Sequence, residues 1–128
     1  MCGICGISYS NNQTPERAVL EKMNACIAHR GPDSDGFYTN KNIGLAMRRL
    51  AIIDVSGGDQ PISNENESVR IVFNGECYNY PAMQAELGQR GHHFKTKSDT
   101  ECVLHYYEDE GDDCVRHLRG MFAFALWD

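Results

Sequence analysis

Three observations predict a layered α+β fold for this chain of 128 residues. Strand-like and helix-like segments follow one another in the order strand, helix, strands, helices, strand, which suits sheets covered by helices. Hydrophobic residues make up 41% of the sequence, enough to build a core. Because no internal repeat or interdomain linker interrupts the pattern, we expect a single domain over residues 1–128.

The first two elements are a strand and a helix. Residues 4–9 are apolar and bounded by polar residues, as in a buried strand that begins beside Cys2. Thr14 followed by Pro15 is typical of a helix cap and first turn, and the helix should end near His29. Apolar residues at helical spacing predict its core face: Val19, Leu20, Met23, Cys26 and Ile27.

The middle of the chain reads as loops and strands. Turn-forming residues fill 30–36, and strands are predicted at 36–39 and 43–54. Residues 56–61 form another turn-rich break, and their Ser-Gly-Gly-Asp run lacks the spacing of a pyrophosphate-binding loop. A strand at 69–73 leads into Asn74 and Gly75, a dipeptide that by itself is typical of a hairpin turn.

Two helices and a strand complete the order of elements. One helix is predicted at 80–90, and a second begins at Ser98, where Ser98 and Glu101 have the spacing of a capping box. The core face of the second helix comprises Cys102, Val103, Tyr106 and Tyr107. The apolar strand at 121–127 stops at Asp128 without a closing turn, so we expect the domain to be incomplete at its C-terminal end.

Charge and composition exclude several classes of function. The 12 Lys and Arg residues are outnumbered by 18 Asp and Glu, for a net charge of −6 without a basic cluster, which argues against nucleic acid and anionic membranes as partners. No apolar run reaches the length of a membrane span and no export signal is visible, so a cytoplasmic protein is expected. Its six cysteines should then be reduced thiols.

Cys2 is the first candidate for chemistry. Met1 is usually removed when a small residue follows it, and removal would give Cys2 a free α-amino group with a pKa of about 7.7 to 8.0. A thiol beside such an amine combines a nucleophile and its base in one residue, so no histidine partner is needed. An ordinary N-terminal thiol is the competing interpretation.

A metal site is the main alternative for the same cysteine. Cys2 and Cys5 have the spacing of a redox or zinc motif, but the sequence lacks a second ligand pair at suitable spacing. The histidines outside residues 29–33 have no partner at ligand spacing either, so we expect surface or helix-face positions for His92, His93, His105 and His117. The sequence therefore predicts no metal site.

Six short motifs favour a catalytic Cys2 over an ordinary N-terminal thiol or a metal site. They are Met-Cys-Gly-Ile-Cys-Gly at 1–6, His-Arg-Gly-Pro-Asp-Ser at 29–34, Arg-Leu-Ala-Ile-Ile-Asp at 49–54, Phe-Asn-Gly-Glu-Cys-Tyr-Asn at 73–79, Ser-Asp-Thr-Glu at 98–101 and Gly-Met-Phe-Ala-Phe at 120–124. Together they resemble the class II glutamine amidotransferase domain of asparagine synthetases. The resemblance implies an N-terminal nucleophile (Ntn) hydrolase fold, with two stacked antiparallel sheets between helical layers, and hydrolysis of glutamine to glutamate and ammonia.

The resemblance also implies roles for individual residues. Cys2 would attack the amide carbon and form a thioester, while the side chain of Asn74 and the backbone N–H of Gly75 stabilise the oxyanion. The residues implied to bind glutamine are Arg49, Leu50, Ala51, Ile52, Ile53, Asn74, Gly75, Glu76 and Asp99. His29 and Arg30 belong to a loop that shapes the glutamine site in this family, but their individual roles stay open.

Charge explains three of these implied contacts. Arg49 would clamp the α-carboxylate of glutamine with its planar fork, and Arg48 should point to the opposite face of the same strand. Glu76 and Asp99 would lie near the α-amino group. Asp99 alone is better explained as an acid in the first turn of a helix, where it interacts with the helix dipole, and both roles could coexist.

Other expectations concern the rest of the polypeptide. The family resemblance implies a glutamine-hydrolysing asparagine synthase in which an ATP- and Mg-dependent C-terminal synthetase domain, absent from this chain, uses the ammonia. Aspartate is the implied acceptor, and another carboxylate is the alternative. The glutaminase half itself would need no cofactor. A homodimer and a catalytically silent domain that keeps the fold both stay open.

Overall fold

The computed structural model describes residues 1–54 and 56–128 and has the predicted α+β composition. Its strands are β1 (Gly3–Ser8), β2 (Ser34–Asn40), β3 (Ile43–Arg49), β4 (Ile62–Ser63), β5 (Arg70–Cys77) and β6 (Gly120–Trp127). Its α-helices are α1 (Arg17–Cys26), α2 (Tyr80–Arg90) and α3 (Asp99–Glu110), with 3₁₀ turns at Ala28–Arg30 and Gly111–His117. None of the described helices is long and apolar enough to cross a membrane.

The strands form two antiparallel sheets. The first sheet has the order β1-β3-β2, with Gly3 opposite Arg48 and Ser34 opposite Arg49. The second has the order β4-β5-β6, with Glu76 opposite Met121. Because each pairing is antiparallel, the start of β1 meets the end of β3, and the end of β5 meets the start of β6.

The two sheets pack face to face through a small apolar cluster. Leu45 and Met47 of β3 and Val72 of β5 are its buried members. Partly buried residues around them are Cys2, Ile4, Tyr38, Ile43, Ala125 and Trp127. Side chains alternate between the two faces of a strand, so the residues adjacent to these in sequence face the helices instead.

Helices cover the outer faces of both sheets. The outer face of the second sheet supplies Ile71 and Phe73, which pack with Met83 and Leu87 of α2 and with residues of α3. On the first sheet, Leu20 of α1 is fully buried, and a Cβ on Gly44 would approach its side chain to 2.7 Å. The predicted arrangement of two stacked antiparallel sheets between helical layers is therefore confirmed.

The predicted start of α1 was wrong. Helical hydrogen bonds begin with Val19 N–H donating to the carbonyl of Glu16, so Glu16 is the N-cap and has no capping side chain. Thr14 and Pro15 stay outside the helix. The predicted core face was also partly wrong, because Val19 is 38% exposed and Cys26 is exposed. The register that sets Leu20 against Gly44 determines which side of the helix is buried.

The capping box at the start of α3 is only half formed. Ser98 is the N-cap as predicted, and its hydroxyl accepts a hydrogen bond from the backbone N–H of Thr100. Glu101 does not bond back to Ser98, because its carboxylate accepts the backbone N–H groups of Lys95 and Thr96 instead. Glu101 therefore stabilises the connection that precedes α3 and takes no part in the cap.

Two further predictions about the strands need correction. The strand expected at 43–54 ends at Arg49, because its pairing with β1 and β2 stops at Gly3 opposite Arg48 and Ser34 opposite Arg49. Further along, Asp54 has a positive φ of 49° and its carbonyl accepts the N–H of Gly58. The strand expected to end near Phe73 continues to Cys77. Asn74 and Gly75 consequently lie inside β5 and form no hairpin turn.

Candidate active site

A pocket opens at the edge of the inter-sheet layer, where the start of β1, the end of β3 and the end of β5 meet. Its lining comprises Met1, Cys2, Arg49, Leu50, Ile52, Ile53, Gly58, Gln60, Phe73, Gly75, Glu76, Ser98, Asp99, Thr100 and Met121. Eight of these residues belong to the site predicted from the sequence. Ala51 and Asn74 are the two predicted residues outside this lining.

Cys2 is held by the backbone of Leu50 and by the side chain of Arg30. Its Sγ lies 3.3 Å from the amide nitrogen of Leu50 and 3.6 Å from the Leu50 carbonyl oxygen. Arg30 Nε donates to the Cys2 carbonyl at 3.3 Å. Met1 precedes this thiol and lines the same pocket with 59% of its surface exposed. The thiol therefore has a fixed position at the pocket wall.

The loop at 29–33 contacts the backbone segment that holds the Cys2 thiol. Asp33 N–H donates to the Arg49 carbonyl at 3.0 Å, and its carboxylate accepts the Ala51 N–H at 2.8 Å. Gly31 packs so closely on β3 that a Cβ would overlap the backbone of Arg48. This loop thus positions the Leu50–Ala51 backbone beside the thiol, and Arg30 contacts Cys2 directly. The sequence had left the role of Arg30 open.

Arg49 projects into the pocket, as strand alternation predicted, and is only 5% exposed. Its Nη2 donates to the carbonyls of Ile53 at 3.0 Å and Asp54 at 2.6 Å, and its Nη1 lies 3.0 Å from Asp59 Oδ1. Arg48 faces α1, where its Nε donates to the Asn24 carbonyl. Two backbone carbonyls of partly buried residues therefore orient the guanidinium, while its carboxylate partner Asp59 is 71% exposed.

Asn74 and Gly75 lie side by side on β5. Asn74 shares the inter-sheet face with Val72, and its buried Oδ1 has no hydrogen-bond partner among the described residues. Gly75 has a φ of +148° and lines the pocket. A Cβ at this position would overlap the carbonyl oxygen of Met121 in β6. Only glycine fits so close a backbone approach without strain.

Asp99 and Glu76 bring two carboxylates to the same pocket. Asp99 begins α3, is 4% exposed, and its Oδ2 accepts the N–H of Cys77 in β5 at 2.8 Å. Burial is the main cause that raises the pKa of the Asp99 carboxyl, and the charge of Glu76 raises this pKa further. Hydrogen bonds from Cys77, Thr100 and Ser98 act in the opposite direction. Asp99 is therefore both a first-turn helix acid and a pocket residue.

The segment after Arg49 turns away from strand geometry, which opens the pocket. Leu50, Ile52 and Ile53 line it, and Ile52 is 62% exposed. Ala51 is absent from the lining, and its N–H is bound to Asp33. The carboxylate of Asp54 fixes the turn by accepting the N–H groups of Gly57 and Lys97.

Gln60 is a pocket residue that the sequence analysis missed. Its Oε1 accepts the N–H of Phe73 at 2.6 Å, and its Nε2 donates to the hydroxyl of Thr100 at 3.2 Å. One amide side chain thus joins the segment after Arg49 to β5 and α3. Its partners are 13 and 40 residues away, so no local sequence signal could have identified it.

His105 lies on a helix, one of the two positions expected for the histidines, but it is buried. This residue of α3 is 1% exposed, and its ring lies 4.6 Å from that of His92. His92, His105 and Glu108 are the one group among the described residues that could hold a metal ion. This group contains neither Cys2 nor Cys5, whose thiols are free.

Comparison with known proteins assigns the family. A family model described as a glutamine amidotransferase domain matches residues 1–128. Glutamine-hydrolysing asparagine synthetase 1 of Bacillus subtilis is 44% identical over 131 residues, which covers 100% of this chain and 21% of that protein. Asparagine synthetase 3 of Arabidopsis thaliana and asparagine synthetase B of Escherichia coli, both named glutamine-hydrolysing, are each 40% identical and are covered over 22% and 23% of their lengths.

The chain thus spans about a fifth of the length of these relatives. Among solved structures, glutamine phosphoribosylpyrophosphate amidotransferase from B. subtilis, complexed with ADP and GMP, matches with a TM-score of 0.54. That match has 23% identity and covers 67% of this chain and 21% of the other, so it shows a shared fold. With a family model that matches its whole length, this chain belongs to the glutamine amidotransferase domain family.

Proposed function

We propose that the pocket hydrolyses the side-chain amide of L-glutamine, with Cys2 as nucleophile. One observation carries this proposal: a fixed thiol, a buried guanidinium and two carboxylates line a single pocket. Glutamine carries a matching set of groups, namely an amide carbon, an α-carboxylate and an α-ammonium.

The charged groups of the pocket would bind the amino-acid end of the substrate. Arg49 offers a planar, permanently charged fork for the α-carboxylate. The substrate carboxylate would replace that of Asp59 on Nη1, and the displaced Asp59 carboxylate can be hydrated because its side chain is 71% exposed. Asp99 and Glu76 would receive the α-ammonium. This assignment directs the amide end of glutamine toward Cys2.

Removal of Met1 would complete the nucleophile. Met1 lines the pocket, so its loss opens space beside the thiol and frees the α-amino group of Cys2. That amine, with a pKa of about 7.7 to 8.0, can accept the thiol proton directly or through one water.

The reaction would then proceed through a thioester. Cys2 sulfur attacks the amide carbon, and the developing oxyanion is met by the side-chain amide of Asn74 and the N–H of Gly75. Each such donor is worth roughly 2.7–4 kcal/mol. The carbon–nitrogen bond breaks as the α-ammonium of Cys2 returns its proton to the leaving nitrogen, which departs as ammonia. Water then attacks the thioester carbon, which releases glutamate and regenerates the thiol.

We extend the proposal to the longer polypeptides in which this domain occurs. The relatives named above are glutamine-hydrolysing asparagine synthetases. By this likeness, a C-terminal synthetase domain would use the ammonia in an ATP- and Mg-dependent amidation of aspartate. A cytoplasmic location and a homodimeric assembly are further parts of this proposal.

Glutamate release from glutamine tests the nucleophile. The full-length protein is first checked by intact mass for loss of Met1, and wild type is compared with Cys2→Ala and Cys5→Ala. Cys5 is the matched control because it lies on β1, three residues from Cys2, but faces the opposite side of the sheet from Cys2, toward α1. We expect Cys2→Ala to abolish release and Cys5→Ala to retain it.

Either of two results contradicts the proposal. Release that persists in Cys2→Ala would assign the chemistry to another group. A folded, Met1-free wild type without release would support the catalytically silent alternative.

A further inference from the structure

A second cluster of polar side chains lies away from the pocket. His92 follows the end of α2, and His105 and Glu108 lie one turn apart on α3. One ligand atom from each of these three residues lies within 4.8 Å of the others. Because Glu108 is nine residues beyond Asp99 on α3, the cluster is displaced by roughly 14 Å along the helix axis from the pocket.

The second ring nitrogen of His92 is held by a carboxylate. Its Nε2 lies 3.0 Å from Asp109 Oδ1, while its Nδ1 lies 3.8 Å from Glu108 Oε2. A proton on Nε2 that is donated to Asp109 leaves the lone pair of Nδ1 directed at Glu108. Carboxylates on the distal nitrogen are the usual support of metal-binding histidines.

His105 lies between two carboxylates. Its Nδ1 lies 2.7 Å from Glu108 Oε2, a hydrogen-bond distance, so Nδ1–H donates to that oxygen in the metal-free chain. Its Nε2 lies 3.7 Å from the buried carboxylate of Glu101 and has no hydrogen-bond partner among the described residues. A bound cation would take the place of the Nδ1 proton, and the neutral ring would then carry its proton on Nε2, facing Glu101.

Glu108 is also oriented by a neighbour. Asn64 Nδ2 donates to its Oε1 at 2.8 Å, which leaves Oε2 as the oxygen that faces both imidazoles. Two of the three candidate ligands thus have a hydrogen-bonded outer partner, Asp109 for His92 and Asn64 for Glu108, while the carboxylate of Glu101 lies 3.7 Å from His105 Nε2.

We propose that His92, His105 and Glu108 bind a divalent transition-metal cation, with Zn²⁺ as the best match. Two imidazole nitrogens and one carboxylate oxygen form a ligand set that Zn²⁺ uses, and water can take the fourth position. The side chains of His92 and Glu108 are 15% and 22% exposed, so the site is open to solvent on one side. The surrounding carboxylates of Glu101 and Asp109 favour a cation.

The bound cation would link two parts of the fold. His92 lies in the connection between α2 and α3, whereas the other two ligands belong to α3. A metal would therefore fasten this connection to the helix whose first residue, Asp99, lines the pocket. The proposal is independent of glutamine hydrolysis, since none of the three ligands lines that pocket.

Cobalt spectroscopy and zinc calorimetry on the full-length protein test the proposal. Co²⁺ reports its ligands, because thiolate ligation adds an intense near-ultraviolet charge-transfer band that imidazole and carboxylate ligands lack. Wild type is compared with His92→Gln and Glu108→Gln, and His93→Gln is the matched control because His93 is exposed and outside the cluster. Circular dichroism without metal checks that every variant is folded.

We expect wild type and His93→Gln to bind one equivalent of Zn²⁺ that both cluster variants lose. Asp109→Asn should weaken binding by roughly 10- to 100-fold, the usual effect of removing an outer partner. The proposal is overturned if wild type binds no Zn²⁺, if His92→Gln and Glu108→Gln bind it as well as wild type, or if the cobalt spectrum shows thiolate ligation alone. In those cases the cluster is a hydrogen-bond network centred on His105 and Glu108.

Discussion

At the scale of single residues, Asp99 is a pocket residue whose ionised form destabilises the fold. Its carboxyl is 4% exposed and shares the pocket with Glu76, and burial is the main cause that raises its pKa. An anion at this position is costly in the empty pocket. A substrate ammonium would reduce that cost, because a positive charge beside a carboxylate favours its ionised form.

We therefore predict that Asp99→Asn stabilises the fold at neutral pH and weakens glutamine binding. The amide oxygen can still accept the Cys77 N–H, but the charge for the ammonium is lost. A hydrogen bond to a charged group contributes roughly 1.5–3 kcal/mol, so KM should rise roughly 10- to 150-fold. Steady-state kinetics and thermal unfolding measure the two effects, with the exposed Asp112→Asn as control.

The gain in stability should depend on pH in one direction. Below about pH 3.9, the ordinary pKa of an aspartate, Asp99 is protonated in both folded and unfolded chains, and the gain over wild type is smallest. As the pH rises through the raised pKa of folded Asp99, wild type must hold a buried anion and loses stability relative to the variant. A gain that grew toward low pH would contradict this account.

The residues of the site differ in how well the sequence predicts them. Strand alternation and the motif at 49–54 selected Arg49 over Arg48, and the structure buries Arg49 in the pocket. Gln60 and His105 were missed because their environment comes from segments that are distant in sequence or separated by a loop. Local patterns report the face of a strand or helix, but they do not report which distant groups meet there.

At the scale of elements, local sequence signals predicted the bounds of a helix correctly where tertiary packing agreed with those signals. Helix α2 has its predicted bounds and α3 begins at its predicted cap, Ser98. Helix α1 starts two residues after Pro15 despite the Thr-Pro signal, and the contact of Leu20 with Gly44 sets which of its sides is buried. Strand β3 ends at Arg49, where its pairing with β1 and β2 stops, which the apolar run at 50–53 does not reveal.

This register predicts different costs for two adjacent substitutions in α1. Leu20 is fully buried and Val19 is 38% exposed. Leu20→Ala should lower the free energy of unfolding by about 2–5 kcal/mol through a cavity against the first sheet, whereas an exposed change such as Val19→Ala should stay within about 0.5 kcal/mol. Urea unfolding followed by circular dichroism measures both. Similar losses for the two variants would mean that Val19 also packs on the sheet.

At the scale of the whole molecule, the site exists because two sheets end at the same edge. The first sheet contributes Cys2 and Arg49, and the second contributes Asn74, Gly75 and Glu76. Element order predicted a layered α+β fold, but only the family resemblance specified two stacked sheets between helices. Local periodicity cannot distinguish that arrangement from a single covered sheet, since both bury the same faces.

The same layers predict how the six thiols react with an alkylating agent. Cys77, Cys102 and Cys114 lie in the core beneath the second sheet at 0–2% exposure, and burial raises the pKa of Cys102 to about 12. Because the thiolate is the reactive form, these three should resist iodoacetamide at neutral pH, while the exposed Cys26 and the pocket thiol Cys2 are modified.

Peptide mass spectrometry after brief native labelling measures this pattern, and labelling in urea should modify all six thiols equally. Added glutamine should protect Cys2 but leave Cys26 unchanged, because only Cys2 lines the pocket. Native labelling of Cys102 as fast as Cys26 would contradict the layered packing. Protection of both thiols by glutamine would instead indicate a change that extends from the pocket to α1.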